Sequence, residues 1–293
     1  MEEILDYREK RIHGEGGLPI SMYSQTPQSP RYQMNCHWHP EQEIIYVKRG
    51  VLELKLGVGQ ETLLLRAGDV AFVQGGTLHS AVASDCHYVC FVLDPVRLLS
   101  GDDACAEPIQ KIAKGKMQVE HFVGQKHPVF ATICEELHQC LTHREEGFVF
   151  FAKGLILQFF GNLLKYHLYQ KPISESSAEE KSVGQMKLVL EHIRRNYSHE
   201  IALAELAELA DMTPNYFCRY FRKMTGQTPI EYLISYRLES ACLALRNSDL
   251  MVTDIAFACG FNDVSHFIKS FRRAYRLTPK AYRALQEEQR AHE

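Results

Sequence analysis

The sequence predicts an α+β multidomain chain: an N-terminal antiparallel β-barrel with helices, then an all-α C-terminal region built from a duplicated helical unit. Three observations predict it. Phe221-Arg222-Lys223, Thr228-Pro229 and Tyr232 recur as Phe271-Arg272-Arg273, Thr278-Pro279 and Tyr282, always 50 residues later. Upstream the offset is 49, where Leu206-Ala207 matches Ile255-Ala256 and Asp211-Met212 matches Gly260-Phe261. Such a repeat marks one supersecondary unit used twice, with one residue inserted in the second turn. Residues 18 to 100, by contrast, read as short strands punctuated by glycine. Between the two regions, residues 171–182 are polar and aperiodic, as a linker is.

Residues 43–48 end at Gly50; 51–56 alternate with period two and stop at Gly57; 61–65 stop before Ala67-Gly68-Asp69. Residues 70–73 stop before Gly75-Gly76, and 87–93 stop at Asp94-Pro95. Short strands at regular intervals indicate an antiparallel sandwich or barrel. The period then becomes helical. Phe130, Ile133, Cys134, Leu137 and Leu141 share one face, as do Leu155, Ile156, Phe159, Phe160, Leu163 and Leu164. These two helices are expected to cover the barrel's side or to pair with a second subunit.

After the linker, helices are expected at about 183–196, 203–210, 214–224, 229–246, 254–259, 264–275 and 279–288. Thr213-Pro214, Thr228-Pro229 and Thr278-Pro279 each place an N-cap residue before a proline at the first helical position. Thr253 is expected to cap the segment that Gly260 closes. The domains are therefore 1–105, 106–170 and, beyond the 171–182 linker, 183–293.

Composition narrows the class. At 293 residues, two domains are the natural expectation. The net charge is -3, but residues 212–283 hold 11 basic against 5 acidic residues. Positive charge thus gathers on the repeat, as a phosphate-facing surface requires. Nine cysteines without framework spacing fit reduced thiols in a cytoplasmic protein. The start of the chain is acidic and lacks a secretory apolar run, and no stretch reads as the ~18 apolar residues of a membrane span.

Each repeat copy has the layout of a helix-turn-helix. In the first, Leu206, Ala207, Leu209 and Met212 pack the support, and Phe217, Tyr220, Phe221 and Met224 face inward. Asn215, Cys218, Arg219, Arg222 and Lys223 are then the outer face. In the second, Phe267, Ile268 and Phe271 face inward, leaving Val264, Ser265, His266, Lys269, Arg272 and Arg273 outside. A short, well-buried helix with a basic, hydrogen-bonding outer face suits the major groove of DNA. Residues 186 to 285 resemble the DNA-binding domain of the AraC family of transcriptional regulators. The resemblance is carried by Ile201 to Arg222, Arg237-Leu238-Glu239, and Asp254 to Phe261 through Pro279 to Arg283. It implies base contacts from Asn215, Cys218 and Arg219, and from Val264, Ser265, His266 and Lys269. Arg222, Lys223, Arg272 and Arg273 would displace counterions.

The barrel region carries His37, His39 and Glu43 in the pattern H-x-H-x-x-x-E, with His79 downstream. On a strand, His37 and His39 share a face, and His79 from a neighbouring strand completes three imidazoles and a carboxylate suited to a divalent metal. Residues 18 to 95 resemble the cupin family, with Gln74 where that family has proline. The resemblance implies a double-stranded β-helix barrel and leaves two uses open. One is an effector site for a sugar or other polar metabolite, lined by His37, Trp38, His39, Glu43 and His79, with or without a divalent metal. The alternative is a metal-dependent cupin enzyme with an accessory helical domain. The fusion to a DNA reader favours the first: a non-enzymatic regulator, an activator acting with RNA polymerase, and a homodimer joined through the helices of 106–170.

Overall fold

The computed structural model describes residues 18–57, 61–98, 104–122, 127–170 and 177–291, and the side chains of all these except 177–180 and 288–291. The described residues divide into two compact units, one on each side of residues 171–176.

The first unit is built on β1 (Ile20–Gln25), β2 (Met34–His37), β3 (Gln42–Leu56), β4 (Glu61–Arg66), β5 (Val70–Val73) and β6 (His79–Leu93). All pairings are antiparallel, in the order β1-β6-β3-β4, with β2 on β6 and β5 on β3. Two strands are longer than the sequence suggests. Gly50 does not end a strand; it sits inside β3 at φ 80, where the register slips between Val47 and Val51. A side chain there would meet the Asp85 carbonyl oxygen at 2.0 Å, so only glycine fits this bulge. Through it β3 bends, pairing with β5 on one side and β4 on the other. β6 likewise begins at His79, not at His87.

Alternation along these strands makes two cores. Ile45, Val47, Leu52, Leu54, Ala71, Val73, Tyr88 and Cys90 fill the inside of the barrel. Ile44, Tyr46, Phe72, Val89 and Phe91 face the other way and pack against helices. Those helices follow α1 (Pro95–Leu98) and are α2 (Ala106–Ala113), α3 (Val129–His143) and α4 (Phe148–Lys165); α2 and α4 lead into the short pair β7 (Gln118–Val119) and β8 (Tyr169–Gln170). Phe130 and Phe159, with ring centroids 5.0 Å apart, centre this layer. The helices thus cover the barrel's side. Gln74, the residue in the proline position, is buried and staples them there. It donates to the Ile112 and Met117 carbonyls at 2.7 and 3.1 Å and accepts from the Val119 N–H at 3.3 Å. A proline could make none of these bonds.

One expectation is corrected here. α4 is long and apolar enough, at a mean hydropathy of 1.3 over 18 residues, to cross a membrane by length and composition. Its apolar residues line both the core side and the outer side, and only a third of the helix is buried.

The second unit is helical: α5 (Ser177–Asn196), α6 (Leu203–Leu209), α7 (Pro214–Thr225), α8 (Pro229–Asn247), α9 (Val252–Ala258), α10 (Val264–Tyr275) and α11 (Pro279–Ala291). α5 begins at Ser177, so the helix takes up part of the segment read as linker. α6 and α9 start 49 residues apart, whereas α7 and α10, and α8 and α11, start 50 apart. The extra residue lies in the turn before α10. The caps differ from expectation at two helices: Thr213 holds the N-cap position of α7 without a side-chain bond, and α9 has another N-cap residue. α9 starts after Met251, and Thr253 is inside it, because the Asp254 and Ile255 N–H groups return to the Met251 carbonyl. Thr228 makes a full capping box with Glu231. Arg237 on α8 ties the unit together. It donates to the Tyr197 and His199 carbonyls, both at 2.7 Å, and lies over the Phe261 ring.

Candidate functional site

Two places concentrate the chemistry, one in each unit. In the helical unit, Phe217 and Phe221 anchor α7, and Phe267 and Phe271 anchor α10; all four are fully buried. The opposite faces are therefore fixed. Asn215, Arg219, Arg222 and Lys223 are exposed on α7, and Ser265, His266, Lys269, Arg272 and Arg273 are exposed on α10. Cys218 and Val264 are only half-exposed, and Val264 packs against the core of the second copy instead of standing clear of it. Ile268, expected inside, is instead partly exposed beside the cations, because it falls one residue past the buried Phe267. Leu209 is likewise partly exposed.

On α10 the cations converge. Ser265, Ile268, Lys269, Arg272, Arg273 and Arg276 line one open groove. Arg276 escaped the sequence reading because its counterpart in the first copy is Gly226, so the repeat gave no signal. Both occupy the left-handed position that ends their helices, at φ 60 and φ 78. Asp263 is a second omission. Its carboxylate accepts from the Ser265 and His266 N–H groups at 2.9 and 3.3 Å and so sets the start of α10.

In the barrel unit, the end of β2, the start of β3 and the start of β6 bring together His37, His39, Glu43 and His79, whose ligand atoms all lie within 4.8 Å of one another. His37 and His79 are directly paired across β2 and β6. Trp38 is half-buried in the segment between His37 and His39. The second layer is uniform. Nδ1 of His37 donates to the Asn35 carbonyl at 2.8 Å, that of His39 to Glu41 at 3.1 Å and that of His79 to Thr77 at 2.9 Å. A carbonyl only accepts, so each Nδ1 carries a proton and each neutral ring presents a lone pair at Nε2. Outer-layer bonds of this type orient imidazoles for metals.

The electrostatics distinguish His37 from His39. Burial, reinforced by the charges of His79 and His39, holds the His37 ring well below the ordinary imidazole value, so it is neutral. Burial works against the charge of Glu43, but the hydrogen bond from His39 and the proximity of His79 hold its carboxyl well below the ordinary carboxylate range. Burial disfavours charge on His39 too, yet its 3.2 Å bond to Glu43 raises it. Nε2 of His79 is fully buried and pairs with Oε2 of Glu43 at 2.9 Å. Nε2 of His39 and of His79 thus converge on one carboxylate oxygen, a donor set that could hold a divalent cation.

A barrel bearing a polar cluster, followed by a duplicated helix-turn-helix with basic outer faces, defines a class: a DNA-binding transcriptional regulator. The comparisons narrow it. A helix-turn-helix domain family matches residues 206–285, and a cupin domain family matches residues 28–92. An uncharacterised HTH-type transcriptional regulator, YdeC of Bacillus subtilis, is 24% identical over 96% of this chain and 98% of its own. The HTH-type transcriptional activator RhaS of Yersinia pestis is 27% identical over 91% of this chain and 94% of its own. Among solved structures, ToxT from Vibrio cholerae superposes with a TM-score of 0.50 at 12% identity, over 92% of this chain and 98% of its own, which is a likeness of fold alone. The chain belongs to the AraC family of transcriptional regulators.

Proposed function

We propose that the chain is a sequence-specific transcriptional activator switched by a small polar effector bound in its barrel. α7 and α10 enter successive major grooves, with Asn215, Cys218 and Arg219 on one set of base edges and Ser265, His266 and Lys269 on another. Arg222, Lys223, Arg272 and Arg273 contact phosphates, and Val264 offers at most a methyl contact. The homodimer forms through residues 106–170 and acts by recruiting or repositioning RNA polymerase. The observation that carries the DNA reading is the duplicated, phenylalanine-anchored helix with an exposed basic face.

Within the barrel, His37, His39, Glu43 and His79 anchor the effector, with Trp38 as a wall. Their donor set fits a divalent cation. Ligands ~2.1 Å from one metal lie at most about 4.2 Å apart, so the cluster needs to close by only roughly half an ångström. The cation would supply a Lewis-acidic point for a hydroxyl or carboxylate of the effector.

Elemental analysis of the purified full chain tests the cation, and a mobility shift on DNA selected from a random pool tests the reader. Stoichiometric metal that His79→Ala abolishes, with DNA binding that changes when a screened sugar or metabolite is added, is the expected result. Metal-free protein whose melting temperature no effector shifts would remove the sensory role, and turnover of a substrate lost in His37→Ala would make the barrel an enzyme.

A further inference from the structure

Aligned through Phe217 and Phe267, the two reading helices match residue for residue: Pro214 with Val264, Asn215 with Ser265, Tyr216 with His266, Cys218 with Ile268 and Arg219 with Lys269. Each helix then carries one stripe, at spacing i, i+3, i+7, in which an aromatic ring is followed by two cations. The stripe is Tyr216, Arg219 and Lys223 on α7, and His266, Lys269 and Arg273 on α10. All six are exposed. The core uses none of them, because Phe217, Phe221, Phe267 and Phe271 supply the buried faces of both helices. Each ring is also propped. Tyr216, 50% exposed, lies nearly parallel to Tyr220, with centroids 6.1 Å apart and planes at 17°, and His266 meets Phe261 edge-on at 5.8 Å. A ring held by a neighbour loses little side-chain freedom on binding.

We infer that Tyr216 reads DNA as the counterpart of His266, and that the group it recognises is the C5-methyl of a thymine in the half-site of α7. This rests on the reading of DNA proposed above and adds a residue to it. Position and chemistry select the methyl. Tyr216 is the third residue of α7, beside Asn215, in the half of the helix that meets base edges. Lys223 stands two turns later, at the end that meets phosphates. Arg219, one turn on from Tyr216, already supplies the stripe with hydrogen-bond donors. Cys218, on the other side of Asn215, is half-exposed and a weak hydrogen-bonder, which leaves the Tyr216 ring as the large surface beside Asn215 and Arg219. Of the groups that the major groove displays, only the thymine methyl favours an apolar surface; the others are donors and acceptors. The duplicated position therefore asks for different bases in the two half-sites: an apolar ring on α7 selects a methyl, whereas the imidazole of His266 on α10 offers a hydrogen bond.

The test uses the full chain and its preferred site, selected from a random pool, with deoxyuridine placed at each thymine in turn. Deoxyuridine removes only the methyl. The half-site of α7 is the one whose preference Arg219→Ala relaxes. One deoxyuridine there is expected to weaken binding by the parent chain about fourfold, the factor to which ~0.8 kcal/mol for one buried carbon corresponds. Tyr216→Ser should bind the thymine site about fourfold more weakly than the parent and should bind the thymine and deoxyuridine sites alike. Tyr216→Phe should keep the parent's preference. Melting temperatures report whether each variant keeps its fold, and the deoxyuridine series on the parent chain needs no variant. A parent chain that selects no DNA removes the DNA reading itself. A selected half-site of α7 that holds no thymine, or whose thymines all tolerate deoxyuridine, keeps that reading and overturns the methyl contact. A penalty that Tyr216→Ser leaves intact gives the methyl to another residue and overturns it too. Tyr216→Phe as weak as Tyr216→Ser would assign the contact to the hydroxyl, and the methyl would play no part.

Discussion

In the first helix-turn-helix the chain leaves α6 with Asp211 at φ 55, and in the second it leaves α9 with Gly260 at φ 85. The next N–H, of Met212 or Phe261, returns to the carbonyl of Ala207 or Ala256, at 3.0 Å in both. The backbone device is the same, yet its surroundings are not. A side chain on Gly260 would stand 2.6 Å from the Tyr197 carbonyl oxygen and 3.0 Å from Nε of Arg237. Asp211 is exposed and meets Lys181 at 3.5 Å across solvent. Caps differ in the same way. Asp263 bonds two N–H groups at the start of α10, whereas the Thr213 side chain makes no capping bond at α7. The duplication preserved the hydrogen bonds that define the turn and let each copy vary wherever its turn met a different neighbour.

Four tests, with six substitutions, break or sharpen that comparison. The largest effect is expected at Gly260. Gly260→Ala places a methyl against fixed backbone at positive φ and should cost about 3 kcal/mol in urea unfolding, while Asp211→Ala costs well under half of that. Equal losses would mean that the second turn is not held by Tyr197. Next is Arg219→Ala, which should weaken a specific site by about 1–3 kcal/mol and relax one base position of the half-site read by α7. Binding measured across single-base variants checks this, and a preference relaxed only in the other half-site would reassign the residue. Asp263→Ala should then cost about 1 kcal/mol of stability, against a few tenths for Thr213→Ala. Smallest is Arg276→Gly. Relief of a left-handed arginine should gain under about 1 kcal/mol, while loss of a phosphate contact should flatten the salt dependence of DNA binding by ~0.9 in slope. A more stable variant with an unchanged slope would take Arg276 off the DNA face.

Much of this was legible because periodicity and repetition are sequence properties. The helices of the second unit fall within a few residues of expectation, since the phenylalanine spacing and the Thr-Pro starts are local signals. The strand breaks at Gly50 and His87 were misread because a bulge and a turn look alike in sequence; only the partner strand distinguishes them. Val264 and Ile268 were exchanged because a short helix resolves its inner face to no better than one residue. The four residues of the barrel cluster could be named from their spacing, whereas the carbonyls of Asn35, Glu41 and Thr77 that aim the rings could not, as any residue type supplies a carbonyl. Gln74 was visible only as a missing proline, and its work as a staple depends on α2 and β7, more than 30 residues away.

The arginine on α8 has one further consequence. By holding the Tyr197 and His199 carbonyls and lying over Phe261, Arg237 locks the entry of the first copy to the turn of the second. The two reading helices then form a caliper of fixed gape. Its arm is α8, whose 19 residues span about 28 Å, against the ~34 Å repeat of DNA. On the proposed reading of DNA, a jaw that cannot open would leave the duplex to make up the difference by curving, at a cost of order 1–6 kcal/mol that depends on base steps no side chain touches. Sequence choice between the half-sites would then report the stiffness of the DNA as much as the reach of the protein.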